Sequence, residues 1–266
     1  MTKTLALNAE DEQLTTELKQ LNAEFLDLFI LHKGMVENES VILTSLYLEK
    51  LGHLQLELLH KRTRVAHLKM KMQMIQAAIN RNETPDLAAI EKEISKSLEN
   101  YYAEIEAQAA NLERARKVLD SLLSEEETQK LKEIFRLLCK KLHPDLNPGQ
   151  SEEEKDLFIE VKAAFDLQKI NELQKILLYV EGFGNKKPQA ATVGDKKERI
   201  ERLKKNIALL REKIQQLEEN FPFSMKDLIF DERFVAKSRE NLQNQIRECE
   251  NEIKKYQNYI SIMINE

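Results

Sequence analysis

The sequence predicts an all-α protein, and two observations carry this prediction. The 266 residues include only six Gly and five Pro, whereas 33% of them are charged. So few turn-forming residues favour long helices over a many-stranded fold. Apolar residues also recur in alternating steps of three and four along almost the whole chain, which is the period of helices and coiled coils.

Breaks in the helical pattern divide the chain into four predicted parts. In order, they are an N-terminal long-helix hairpin (1–123), a compact middle module (124–180, with a first helix that could lie at 117–123), a flexible linker (181–195) and a C-terminal antiparallel coiled-coil hairpin (196–266). The linker is predicted from its three Gly and one Pro. The heptads could pair within one chain or between chains, so an oligomer is left open.

Two local signals organise the N-terminal part. The first helix is expected to break at about residues 34–40, which begin with Gly34. A turn is expected before residue 86, with Thr84 as N-cap and Pro85 at the first helical position. One uninterrupted helix would then follow to about residue 123 and fold back on the preceding helix.

Composition excludes several classes of function. A formal net charge of −5 gives no electrostatic reason to expect a nucleic-acid partner. No stretch approaches the roughly 20 apolar residues of a membrane span, and the start lacks the apolar core of a signal peptide. The two cysteines lie far apart and fit a reducing compartment. The sequence therefore predicts a cytoplasmic protein with neither nucleic acid nor membrane as partner.

Residues 131–168 read LKEIFRLLCKKLHPDLNPGQSEEEKDLFIEVKAAFDLQ and predict two helices joined by a tight loop. Pro144 ends the first helix, and Ser151 with Glu154 forms a capping box that begins the second. The helical spacing predicts a shared core made of Leu131, Ile134, Leu138, Phe158, Val161 and Phe165.

This segment resembles the J-domain of DnaJ-like co-chaperones. J-domains have a basic second helix of the form LKxAYRxLAxKYHPDxN and a third helix of the form FxEIxxAYExL. The chain has LKEIFRLLCKKLHPDLN and FIEVKAAFDLQ in the same register. The resemblance implies that a partner chaperone is bound by His143, Pro144, Asp145, Lys132, Phe135, Arg136, Lys141 and Asn147.

The resemblance also implies a function. We expect a J-domain co-chaperone that stimulates ATP hydrolysis by a DnaK-type chaperone, with helical arms for client binding or targeting, and with no cofactor and no catalysis of its own. The sequence departs from the family pattern at Leu137, Leu142, Leu146 and Ile159. The alternative is therefore a structural coiled-coil scaffold whose J-like module is uncoupled from chaperone activity.

Neither a metal site nor an active site of an enzyme is expected. His53, His60 and His67 repeat every seven residues. Seven residues span about 10.5 Å of helix, too far for neighbouring side chains to share one ion. No motif brings a nucleophile, a base and a carboxylate together.

Overall fold

A computed structural model describes residues 2–182 and 192–265, and within these ranges the prediction of an all-α fold is confirmed. The helices are α1 (Thr2–Gly34), α2 (Ser40–Tyr47), α3 (His53–Asn80), α4 (Leu87–Ser97), α5 (Glu99–Asp120), α6 (Glu125–Leu142), α7 (Glu152–Asp166), α8 (Ile170–Gly182), α9 (Val193–Glu219), α10 (Lys226–Phe230) and α11 (Glu232–Asn265). Short π-helical turns occupy Met35–Glu39 and Leu48–Gly52, and a 3-10 turn occupies Phe223–Met225. None of the described helices is both long and apolar enough to cross a membrane.

The chain forms two units, each built from separate stretches of sequence. The first unit combines Met1–Ser40 with Leu122–Ser224, and the second combines Val41–Ser121 with Met225–Glu266. The predicted parts 1–123 and 196–266 are therefore each divided between the two units. Residues 183–191 of the predicted linker lie outside the described residues, and its two ends are helical.

In the first unit, α9 packs along α1 rather than against α11. A seam of apolar residues joins them, made of Leu18, Phe25, Ile200, Leu203 and Ile207. Asp11 pairs with Lys196 at 2.6 Å beside the seam. Three further ion pairs flank it, Glu10–Lys197 at 2.6 Å, Glu17–Lys204 at 2.9 Å and Glu24–Arg211 at 2.5 Å. Both partners advance by seven residues from one pair to the next, so α1 and α9 run parallel.

The predicted C-terminal hairpin is corrected by this pairing. The apolar face of α9 is already covered by α1, and α11 packs along α3 in the second unit. There Leu54 and Leu58 contact Ile246, and Lys61 pairs with Glu250 at 2.5 Å. The heptads predicted for α9 and α11 are present, but each of these helices packs against a different helix from the one predicted.

The second unit also contains the fold-back of α4 and α5 on α3. Leu68 and Ile75 of α3 pack with Ile90 and Ile94 of α4. The predicted cap at Thr84 is wrong: Asp86 caps α4, and its carboxylate accepts hydrogen bonds from the Ala88 and Ala89 amides, both at 3.0 Å. The predicted single helix is also interrupted, because Leu98 leaves helical geometry between α4 and α5.

The J-like module of the first unit consists of α6, α7 and α8. Its core contains every residue of the predicted set, and none of them is more than 7% exposed. Capping boxes begin α6 at Ser124 and α7 at Ser151, the latter as predicted. Residues 117–123 do not form its first helix, because 117–120 end α5 in the second unit. The hairpin is instead covered by α1, through Leu26, Phe29 and Ile30.

Substitution of two glycines tests the helical path. The break expected at Gly34 is absent from this described stretch, because Gly34 is helical, with φ −62° and ψ −39°. A Cβ at this position would meet nothing within 4 Å. Gly34→Ala should therefore raise the free energy of unfolding by about 0.5–1 kcal/mol. Urea denaturation measures the change.

Gly52→Ala is the matched comparison. Its Cβ would lie 2.5 Å from Cδ2 of Leu112, so the side chain of Leu112 must move. This variant should be less stable than the Gly34→Ala protein. Equal gains from both substitutions would contradict the close packing at Gly52.

Candidate functional site

The loop between α6 and α7 is a compact turn that begins at His143. Pro144 prevents the helix from continuing, and His143 adopts φ −75° and ψ 129°. The amides of Leu146 and Asn147 donate to the His143 carbonyl at 3.0 and 2.9 Å. The side-chain nitrogen Nδ2 of Asn147 donates to the Lys140 carbonyl at 3.0 Å. Asn147 therefore caps the C-terminal end of α6 and stabilises the loop through a contact within the same chain.

The His143 ring is buried among aromatic rings. Its residue is 7% exposed, and the ring lies edge-on to Phe25, Phe29 and Phe158 with centroids 4.9, 4.6 and 5.1 Å away. Burial lowers the pKa of His143 to about 4, and the charge of Lys162 adds to this effect while that of Asp145 opposes it. The ring is therefore neutral near pH 7. Since Nδ1 accepts a hydrogen bond from the Asp145 amide at 3.1 Å, the proton is on Nε2.

Two residues of α9 form hydrogen bonds with Asp145 and Leu146, which follow His143 in the loop. Nδ2 of Asn206 donates to the Asp145 carboxylate at 2.8 Å, and the guanidinium of Arg199 donates to the Leu146 carbonyl at 2.5 Å. Burial lowers the pKa of Arg199, and the nearby Asp145 carboxylate partly opposes this. Leu146 packs against both the module core and the α1–α9 seam. The loop is thus bound to α9 by polar and apolar contacts.

The basic face of α6 lies next to the loop. Lys132 and Lys141, which the resemblance to J-domains assigns to a partner surface, are exposed, and so is Lys140. Arg136 is also exposed, but its guanidinium pairs with Asp27 of α1. A groove of about 540 Å³ lies beside Lys132 and Arg136.

Phe135 does not lie on the exposed face of α6, so its predicted contact with a partner is corrected. It is fully buried and stacks on Phe165 with ring centroids 4.0 Å apart and an interplanar angle of 22°. The reason is helical spacing: Phe135 lies four residues after Leu131 and three before Leu138, so it shares their apolar face. A partner can reach the basic residues of α6 without touching this ring.

Sequence reasoning missed the residues that surround the loop from other helices. These are Phe25 and Phe29 of α1, with Arg199 and Asn206 of α9. One signal was present in the sequence, since acidic residues at 10, 17 and 24 match basic residues at 197, 204 and 211 in spacing. That spacing indicates the pairing of α1 with α9, but not the contact of either helix with the loop.

His67, the last histidine of the series on α3, is buried beside acidic and basic side chains. Nε2 of His67 contacts the Glu91 carboxylate at 2.8 Å, and Lys71 binds the same carboxylate at 2.6 Å. Over residues 2–182 and 192–265, no group of three or more His, Cys, Asp or Glu side chains is placed to hold a metal ion.

Comparison with known proteins identifies no relative. No model of a known protein family, no curated protein and no solved structure matches the chain. The resemblance to J-domains therefore rests on the residues of α6, α7 and their loop.

Burial of neutral His143 predicts a dependence of stability on pH. Its pKa of about 4 in the folded protein lies below the ordinary value of 6.5. As the pH falls, the unfolded chain binds a proton at His143 before the folded protein does. The contribution of His143 to the free energy of unfolding is therefore fully present above pH 6.5 and is lost progressively down to pH 4. The loss should be roughly 3 kcal/mol. The unfolding free energy of the wild type, measured by urea denaturation across this range, should fall more steeply than that of His143→Gln.

The exposed residue His60 is the control for this measurement. His60→Gln leaves the aromatic rings around His143 unchanged, so the steep loss of stability that His143 causes should remain. A His143→Gln protein with that same loss would contradict the depressed pKa.

Proposed function

We propose that the chain is a J-domain co-chaperone that binds a DnaK-type chaperone and stimulates its ATP hydrolysis. The observation that carries the proposal is the combination of motif and architecture. His143, Pro144 and Asp145 occupy the loop at the end of a basic, amphipathic helix, and that helix packs against α7 around the apolar positions shared with the J-domain pattern. The tripeptide alone would be weak support.

The exposed groups of α6 suit a partner with an acidic surface. Lys132, Lys140 and Lys141 would attract and orient it through charge complementarity. The Asp145 carboxylate would accept charge-assisted hydrogen bonds from an arginine of the chaperone. This chain supplies no catalytic group and needs no cofactor, because ATP and the reacting atoms belong to the partner.

The helices outside the module would bind a client protein or direct the module to a location. Both cysteines, Cys139 and Cys249, are free thiols, which supports a place in the reducing cytoplasm. The net charge of −5 supports a protein partner rather than nucleic acid.

The burial of the loop favours a second candidate function. His143 is only 7% exposed, and two of the residues that depart from the family pattern, Leu142 and Leu146, pack into the interior of the unit. A structural scaffold that has lost its coupling to a chaperone would keep such a buried loop as part of its core.

An ATPase assay distinguishes the two functions. Steady-state ATP hydrolysis by the DnaK-type chaperone of the same cell should rise when the full chain is added. His143→Gln and Asp145→Asn should each reduce this stimulation at least roughly tenfold. Asp145→Asn removes a charge that would bind the chaperone, and His143→Gln removes the ring whose Nδ1 accepts a hydrogen bond from the Asp145 amide and orders the loop.

His60→Gln provides the control, since it makes the same substitution at an exposed site on α3. It should stimulate ATP hydrolysis as the wild type does. Absence of stimulation by the wild type at saturating concentration would favour the scaffold.

A further inference from the structure

Two residues assigned to the chaperone interface, His143 and Asp145, already contact other helices of the same unit. His143 lies under Phe25 and Phe29, and the Asp145 carboxylate is bound by Asn206. Of His143, Pro144 and Asp145, only Pro144 is exposed. While Asn206 donates to Oδ2 of Asp145, α9 competes with a partner for this carboxylate.

We propose that α9 is an autoinhibitory clasp, which holds Asp145 and the Leu146 carbonyl away from the chaperone until α9 is released. The inference rests on the proposed function and adds its regulation. Arg199 and Asn206 are the two residues of the clasp that bind the loop, and the α1–α9 seam holds the clasp in place.

The cores of the module and of the clasp are separate, so release of α9 leaves the module intact. The buried residues of the module core come from α6, α7, α8 and Leu26 of α1, and none comes from α9. The buried residues of the seam come from α1 and α9 alone. Leu146 and Phe29 are partly buried contacts common to both clusters. Removing α9 therefore frees the Asp145 carboxylate and the Leu146 carbonyl without opening the core around Phe135 and Phe165.

The polar contacts of the clasp are suited to reversible binding. The Arg199 Nε atom is buried and has no hydrogen-bond partner among the described residues, which weakens the attachment of this guanidinium. Two of the ion pairs beside the seam are largely exposed, since the Lys204 and Arg211 side chains are 50% and 67% accessible, whereas Lys196, which pairs with Asp11, is 15% accessible. Exposed pairs of this kind stabilise a helix contact only slightly.

A closed clasp lowers the apparent affinity for the chaperone but leaves the maximal stimulation of ATP hydrolysis unchanged. Only the open fraction of the protein binds, so the apparent dissociation constant is the intrinsic constant divided by that fraction. Opening the clasp should lower the concentration needed for half-maximal stimulation of ATP hydrolysis. The stimulation at saturating concentration should stay the same.

Asn206→Asp in the full-length chain tests the clasp. The substitution preserves side-chain shape but places a carboxylate against Asp145, which repels the loop from α9. The half-maximal concentration should fall roughly tenfold, as expected when a hydrogen bond to a charged group is lost. Hydrogen exchange at the amides of residues 145–147 should become faster.

Lys205→Gln is the matched control, because it changes the charge by the same amount at the exposed neighbouring residue. It should leave both measurements at wild-type values.

A charge swap provides a second, independent variant. Lys204→Glu places a second carboxylate opposite Glu17, and the two like charges repel each other across the seam. The half-maximal concentration should therefore fall by a few fold. Adding Glu17→Lys restores an ion pair of opposite polarity and should return the concentration toward the wild-type value. A merely destabilising change in α9 would not be rescued in this way.

The outcomes separate the clasp from the proposed function. If the wild type stimulates ATP hydrolysis and Asn206→Asp changes neither the half-maximal concentration nor the exchange, the clasp is overturned and the co-chaperone function stands. If Asn206→Asp accelerates exchange but neither protein stimulates at saturation, the proposed function is overturned, and autoinhibition falls with it.

Discussion

The packing of α1 on the α6–α7 hairpin is the contact on which the rest of the first unit depends. Leu26 enters the core of the module, while Phe25 and Phe29 enclose the His143 ring. Because successive turns of one helix carry these residues, α1 cannot fill the core without also covering the loop. The same helix presents Leu18 and Phe25 to α9, so the position of α9 above the loop follows from that of α1.

This arrangement explains two of the departures from the J-domain pattern. Leu142 is 3% exposed and belongs to the module core, where an apolar side chain of either shape can pack. Leu146 replaces a residue that is often basic, and here it contacts the α1–α9 seam, where a charged side chain would be costly to bury. Leu137 and Ile159 remain 47% and 59% exposed, and no contact in the structure accounts for them.

Apolar contacts and ion pairs both join α1 to α9, and they contribute in different ways. The apolar seam supplies most of the stabilisation, because burying a large aliphatic or aromatic side chain contributes about 1.5–3 kcal/mol. The ion pairs at Glu10, Glu17 and Glu24 contribute little individually but select the parallel register, since a shift by one heptad leaves charges unpaired. The loop therefore faces Asn206 and Arg199 rather than other residues of α9.

The sequence by itself determined the all-α fold class, the core of the module and the capping box at Ser151, because periodicity and capping involve residues within a few turns of one another. It also indicated the loop at His143. Only the tertiary structure decided which arm pairs with which, since α1, α3, α9 and α11 all carry heptads that could pack with one another. The burial of His143 was likewise decided by Phe25 and Phe29, which come from a helix distant in sequence. A local pattern specifies an apolar face, whereas its partner depends on the register and charge of the whole fold.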